Sequence, residues 1–151
     1  MQKNILTALI LITILTSLSY ANSLKHSFVG DDEIHIVHVV AIKLRNNGYE
    51  VISADNGAEA YELACKEQPD IIVTDFQMPV MTGLELVEKL RQRQETKDIP
   101  VIMLTARSFA IPKEQQEDLR ISSCLSKPFS PKELLGNIED VLYQKQVMVS
   151  N

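Results

Sequence analysis

Asp31, Asp32, Asp75, Thr105 and Lys127 are the residues of this chain whose types and spacing can do chemistry. Asp75 closes the apolar run Ile71-Ile72-Val73-Thr74 and leads into Phe76-Gln77-Met78-Pro79-Val80-Met81-Thr82-Gly83, a loop shaped by a proline and a glycine. Asp31 and Asp32 follow Ser27-Phe28-Val29-Gly30, Thr105 ends Val101-Ile102-Met103-Leu104, and Lys127 follows Cys124-Leu125-Ser126. Three carboxylates brought to one place repel each other, and burying unpaired charge is costly. Lys127 offsets one charge. A hard divalent ion, Mg2+, is the natural complement for the rest, because it takes oxygen ligands and keeps several waters. The set suits phosphoryl transfer. The Asp75 carboxylate can act as a nucleophile and form an aspartyl phosphate, while Lys127 and the ion neutralise charge on the phosphoryl oxygens. The Thr105 hydroxyl can donate to one of those oxygens, and the small Ala106 leaves room for the group. Asp31, Asp32 and Asp75 are the expected metal ligands, with the backbone carbonyl of Gln77 completing the shell. Which of Asp31 and Asp32 coordinates directly is left open by the sequence.

Such a site requires elements that deliver all these residues to one edge. From Phe28 onward, strand-like and helix-like segments alternate. The expected strands are 27–30, 49–54, 70–75, 101–105 and 124–126. Between them the apolar spacing predicts helices over 33–47, 58–66 and 83–93, one from Pro112 to about Leu119, and a last one from Ser130 to about Tyr143. Ser130-Pro131-Lys132-Glu133 is a strong helix start, with Ser as N-cap, Pro at the first helical position and Glu at the third. Strict alternation implies an α/β fold, a doubly wound five-stranded parallel sheet with helices on both faces. Open sheets of this kind place their chemistry at the carboxyl ends of the strands. The stretch from Ser108 to Pro112 predicts an irregular or late-starting fourth helix, and the tail from Gln144 is expected to fray.

Bulk properties narrow the class. A chain of 151 residues suits one domain. The net charge of −5 without a basic block argues against a nucleic-acid partner. Cys65 and Cys124 lack metal-ligand spacing and read as small buried apolar residues. Residues 1–24 stand apart. Lys3, an apolar stretch from Ile5 to Leu18 and then Ser19-Tyr20-Ala21 match a secretory signal peptide. The stretch is short for a membrane span, which needs about 20 residues. The expected organisation is therefore a leader over 1–24, one domain over 25–147 and a tail over 148–151. The expected location is the cytoplasm, with export or membrane anchoring through residues 1–21 as the alternative and no stable membrane insertion once the leader is absent or cleaved.

From Phe28 to Leu142 the chain resembles the receiver domain of bacterial two-component response regulators. Asp31-Asp32-Glu33 is similar to the family's acidic cluster, Asp75-Phe76-Gln77-Met78-Pro79 with Gly83 to its phosphoacceptor loop, Thr105-Ala106 to its switch threonine and small neighbour, and Lys127-Pro128-Phe129 to its lysine motif. The separations, 43 residues from Asp32 to Asp75 and 22 from Thr105 to Lys127, also fit. The resemblance implies a flavodoxin-like fold with strand order 2-1-3-4-5. It implies a histidine kinase or histidine phosphotransfer protein as phosphodonor, Mg2+ as cofactor, and Asp75 as the phosphorylated residue. It further implies self-phosphorylation and dephosphorylation chemistry rather than an enzyme acting on a separate substrate. Gln77 and Arg107 fall at positions that tune phosphate lifetime. Cys124 stands where the family usually has Tyr or Phe, which puts the coupling between Thr105 and an aromatic switch partner in question. The chain stops after its last helix, so a single-domain regulator signalling through its surface to a downstream protein is expected. A degenerate receiver acting as a phosphorylation-independent binding module is the alternative.

Overall fold

The computed structural model describes residues 11–15, 32–106 and 111–150. In chain order the elements are β1 (Leu11–Leu15), α1 (Asp32–Asn46), β2 (Tyr49–Ile52), α2 (Gly57–Glu67), β3 (Ile71–Asp75), α3 (Gly83–Arg91), β4 (Val101–Thr105), α4 (Lys113–Asp118), β5 (Ser123–Ser126) and α5 (Pro131–Val149). The strands form one five-stranded sheet in the order β2-β1-β3-β4-β5.

Strand residues alternate between two cores, as the period of two along a strand requires. Ile71, Val73, Ile102 and Leu104 face one side with Val40, Ala41 and Leu44 of α1 and Leu134, Ile138, Val141 and Leu142 of α5. Ile72, Val101 and Met103 face the other with Ala60 and Ala64 of α2 and Leu86, Val87 and Leu90 of α3. The expectation of helices on both faces therefore holds. β3 and β4 are buried on both sides, so their near-continuous apolar sequences are what a central position demands.

The parallel expectation holds for β3, β4 and β5 and needs correction at β1. β3 pairs with β4 and β4 with β5 in parallel. β1 pairs antiparallel with β2, Thr13 opposite Val51, and antiparallel with β3, Leu11 opposite Val73. The strand expected over 27–30 lies outside the described residues, and the position between β2 and β3 is taken by Leu-Ile-Thr-Ile-Leu from the apolar leader stretch. The physical reason is the slot itself. Both neighbours need an apolar, β-branched partner, and Leu11–Leu15 is apolar at four of five positions, whereas Ser27-Phe28-Val29-Gly30 has only two large apolar residues.

Two further differences concern helices. α4 starts late, as expected, and buries none of its residues. α5 runs on to Val149 instead of fraying from Gln144. Lys145 explains part of this, since its Nζ donates to the Asp70 carbonyl at 3.3 Å and ties the helix to the entrance of β3. Pro131 at the start of α5 and the reciprocal bonds between Ser130 and Glu133 are as the sequence indicated.

Candidate functional site

Three of the expected site residues meet at the C-terminal edge of β3, β4 and β5. Asp75 is the last residue of β3, Thr105 the last of β4, and Lys127 the first after β5. Backbone bonds fix the three ends against each other. Phe76 N–H donates to the Leu104 carbonyl at 2.8 Å, and Lys127 N–H donates to the Thr105 carbonyl at 2.8 Å. In register, Asp75 lies opposite Leu104 and Thr105 opposite Ser126.

The side chains carry a matching electrostatic arrangement. Lys127 Nζ lies 2.8 Å from Asp75 Oδ1, with side-chain exposures of 21% and 15%. Partial removal from water strengthens the attraction within the pair, costs desolvation of both groups, and raises the cost of losing either partner. Thr105 is 2% exposed. Its hydroxyl has no hydrogen-bond partner among the described residues. A buried hydroxyl left unsatisfied is costly, and groups of this kind call for an explanation such as a ligand.

The loop after Asp75 is closed at both ends. Gly83 N–H donates to the Phe76 carbonyl at 2.9 Å. A Cβ on Gly83 would run into the Asp75 carbonyl oxygen and come within 2.8 Å of Met103 Sδ. Only glycine lets α3 start this close to the end of β3. Thr82 then caps α3 in a reciprocal box with Glu85; these bonds hold the Glu85 carboxyl below its usual range. Inside the loop, Met78 is buried with its Sδ 3.4 Å from the Thr74 hydroxyl, and Gln77 is exposed.

The acidic pair is reached differently. Asp31 lies outside the described residues, and Asp32 opens α1. β2 runs in the same direction as β3, because β1 is antiparallel to both. α1 ends just before β2 begins and packs on it, so the helix runs back along the sheet and its first residue stands at the edge where β3 ends. Topology thus sends the backbone of Asp32 toward Asp75. Among the described residues no three His, Cys, Asp or Glu side chains form a metal-binding group. The donors near the loop are nevertheless hard oxygens, the Asp75 carboxylate and backbone carbonyls such as that of Gln77, which is the donor chemistry Mg2+ takes.

Arg107 lies outside the described residues. Cys124 sits on β5 opposite Met103 and packs against the α2–α3 core. Burial pushes its thiol above its ordinary value, so it stays protonated at neutral pH and behaves as a small apolar residue. Two features escaped the sequence reading. One is the direct contact of Asp75 with Lys127: Lys127 was legible as a charge offset at the shared edge, without Asp75 being named as its partner. The other is the contact of the Asp75 loop with α2 at Gly57, which a glycine at a helix start does not announce. No helix among the described residues is long and apolar enough to cross a membrane.

Comparison with known proteins agrees with this geometry. The family model "Response regulator receiver domain" matches residues 28–139. The phosphate regulon transcriptional regulatory protein PhoB of Pseudomonas aeruginosa is 36% identical over 118 residues, covering 78% of this chain and 52% of PhoB. The chain spans about half the length of the curated relatives it matches. Among solved structures, the chemotaxis response regulator CheY4 of Vibrio cholerae is 38% identical with a TM-score of 0.64, covering 74% of this chain and 92% of that one. The receiver domain of sensor histidine kinase PA1611 from Pseudomonas aeruginosa, described with a magnesium ion coordinated in its active-site cleft, is 26% identical with a TM-score of 0.62, covering 76% and 93%. The family match begins at residue 28, downstream of β1.

Proposed function

Because this chain belongs to the response regulator receiver domain family, we propose that it accepts a phosphoryl group on Asp75 from a histidine kinase or a histidine phosphotransfer protein. The single observation that carries this reading is the half-buried Asp75–Lys127 pair at the same sheet edge as the Thr105 hydroxyl, which has no partner among the described residues. A carboxylate, a cation and a spare hydrogen-bond donor on adjacent strand ends are what an incoming phosphoryl group needs.

In the proposed reaction a carboxylate oxygen of Asp75 attacks phosphorus. A new O–P bond forms as the P–N bond to the donor imidazole breaks, and the leaving imidazole keeps the electron pair. Lys127 starts the step paired with the carboxylate and shifts its charge toward the phosphoryl oxygens as the carboxylate's charge is consumed. The Thr105 hydroxyl, without a partner among the described residues beforehand, donates to one of those oxygens. Asp31, Asp32, Asp75 and the Gln77 carbonyl would hold Mg2+. When bound, the ion neutralises charge developing on the transferred group.

The output is a change of local charge read at a surface. An added phosphoryl group carries roughly 1.5 to 2 negative charges. The ends of β4 and β5 lead on in the chain to α4 and α5, so satisfying Thr105 biases this side of the molecule. Cys124 cannot act as an aromatic switch partner, so this reading assigns the threonine's movement to the backbone and to α4 rather than to a rotating ring. The downstream partner is a separate protein in this reading.

Incubation with acetyl phosphate and Mg2+ tests the proposal by intact mass. Wild type is expected to gain one phosphoryl group, removed at alkaline pH as an acyl phosphate is, and Asp75→Asn to gain none. Equal labelling of both would overturn the assignment.

A further inference from the structure

The loop that follows Asp75 contains a strained turn. Met81 N–H donates to the Pro79 carbonyl at 2.7 Å, which closes a three-residue turn centred on Val80. Val80 adopts φ of 69°, a left-handed conformation that a β-branched residue rarely takes. Its side chain is 84% exposed, so packing of Val80 itself does not hold the turn. Strain of this kind persists only where the surroundings over-determine the backbone. The flanking methionines supply that constraint. Met78 is fastened from β3 by burial and by its contact with the Thr74 hydroxyl. Met81 is fastened from α2.

The α2 contact is unusually close. Gly57 is the first residue of α2 and is buried. A Cβ added there would run into the Met81 carbonyl oxygen and approach Met81 Cβ to 2.8 Å and the carbonyl carbon to 3.0 Å. Its surroundings are rigid. Asn56 Oδ1 accepts from Glu59 N–H at 3.0 Å, and Glu59 Oε2 accepts from Asp55 N–H at 2.7 Å. The first turn of α2 is therefore a fixed wall, and Met81 backs onto it through the space a side chain would fill.

We propose that Gly57 is a positioning residue for the reaction at Asp75. By having no side chain, it seats Met81 against α2 and holds the strained turn that sets the path of the loop from Asp75 to Gly83. The proposal rests on Asp75 as phosphoacceptor and adds α2, which supplies none of the reacting groups, to what fixes the site. Gln77 and Met81 belong to one short loop and are joined through Met78, so a displaced Met81 pulls on Met78 and, through it, on the carbonyl expected to face the ion. Alanine is the better helix former, so Gly57→Ala leaves α2 intrinsically at least as helical while pushing the loop away.

Two readouts on the full chain test this. The first is amide hydrogen exchange at Met81 and Gly83, whose N–H groups close the turn and the loop. The second is the rate of Asp75 labelling by acetyl phosphate as Mg2+ is varied. Gly57→Ala is expected to exchange about ten-fold faster at these amides. It is expected to label about ten-fold more slowly with a raised Mg2+ half-saturation, since small misplacements at a reacting centre cost rates of this order. Ala64→Gly, in the same helix but away from the loop, should lower thermal stability and keep labelling within about two-fold of wild type. Wild-type exchange and labelling in Gly57→Ala would overturn the proposal, as would an equal slowing in Ala64→Gly. If Gly57→Ala does not fold, Met81→Gly removes the Met81 Cβ that faces Gly57 and frees the backbone on the loop side of the seat. Slower labelling with faster Gly83 exchange then supports the proposal, and unchanged values overturn it. If wild type itself takes no phosphate, the assignment of Asp75 fails separately, and the exchange data alone decide whether Gly57 holds the loop.

Discussion

From β3 to β5 the sheet is parallel and each strand end is bonded to the next, Phe76 to Leu104 and Lys127 to Thr105. Among the described residues, β2 and β3 are joined only through β1, a strand that runs against both neighbours and lies upstream of the family match. The first region places Asp75, Thr105 and Lys127 directly at strand ends, so their mutual geometry follows from sheet register. In the second, Asp32 arrives at the same edge through α1, which packs on β2 and α5. The comparison teaches that a site can be fixed rigidly on one side while its other side depends on a separately recruited strand.

The largest effect is expected from removing that strand. β2 pairs with β1 and with no other strand among those described, so a chain lacking residues 1–21 leaves β2 and the α1 face without a ladder to the rest of the sheet. We expect a loss of about 4 kcal/mol or more in urea unfolding, at the exceptional end of what local changes cost. An unchanged midpoint would mean that another segment, with Phe28 and Val29 at its centre, takes the slot. The same experiment bears on the leader. Leu11–Leu15 cannot be both a central strand of the folded protein and a segment removed after Ala21.

The parallel half has its own point of failure, at the far end of α3. Arg91 Nε donates to the Leu119 carbonyl at 2.7 Å, Nη1 to the carbonyls of Lys97 and Ile99 at 2.9 Å each, and Nη2 to that of Arg120 at 3.1 Å. One guanidinium thus ties α3 and the connection to β4 to the turn between α4 and β5. Burial first, and Arg120 second, bring its pKa down to about 10, so it remains cationic at neutral pH. The folded value lies below the unfolded one, so the charged form is the disfavoured one. That penalty is constant near pH 7 and lifts only as pH rises through about 10. Arg91→Ala strands several carbonyls and is expected to cost about 3 kcal/mol in denaturant unfolding. Arg91→Lys should recover little, because an ammonium lacks the planar fork. A cost under about 0.5 kcal/mol, the range of ordinary surface changes, would show that the parallel half does not rely on this tie.

Legibility in the sequence followed the same division. β3 and β4 were readable because their apolar runs are short and bounded, and because Asp75 and Thr105 end them. The start of α5 was readable because Ser130, Pro131 and Glu133 each carry a local mechanism. β1 was not, since a 14-residue apolar stretch from Ile5 to Leu18 suits a signal segment and a buried strand equally, and the choice is made by the slot between β2 and β3. The Asp75–Lys127 pairing was half readable: strand ends specify a shared edge, while the 2.8 Å contact depends on side-chain reach. Gly57 and Arg91 were opaque for a common reason. Each acts on backbone groups far away in the chain, Met81 in one case and Leu119 and Arg120 in the other, and nothing local in a glycine or a helix-end arginine names those partners.

The smallest expected effect has the sharpest sign. Thr105 is buried with a hydroxyl that lacks a partner among the described residues. Valine has nearly the same shape and removes the unsatisfied group, so Thr105→Val should raise unfolding stability by about 1 kcal/mol, within the range by which stranded polar groups cost. Most core substitutions at such a site would lower it. Under the proposed function, phosphorylation gives the wild-type hydroxyl an acceptor. Acetyl phosphate with Mg2+ should then raise the melting temperature of wild type more than that of Thr105→Val, although the variant starts from the higher value. A destabilised variant would mean that the hydroxyl is already satisfied in the resting protein. Equal gains in both proteins would place the phosphate's hold on the parallel half in Lys127 alone, and would remove Thr105 from the path between Asp75 and α4.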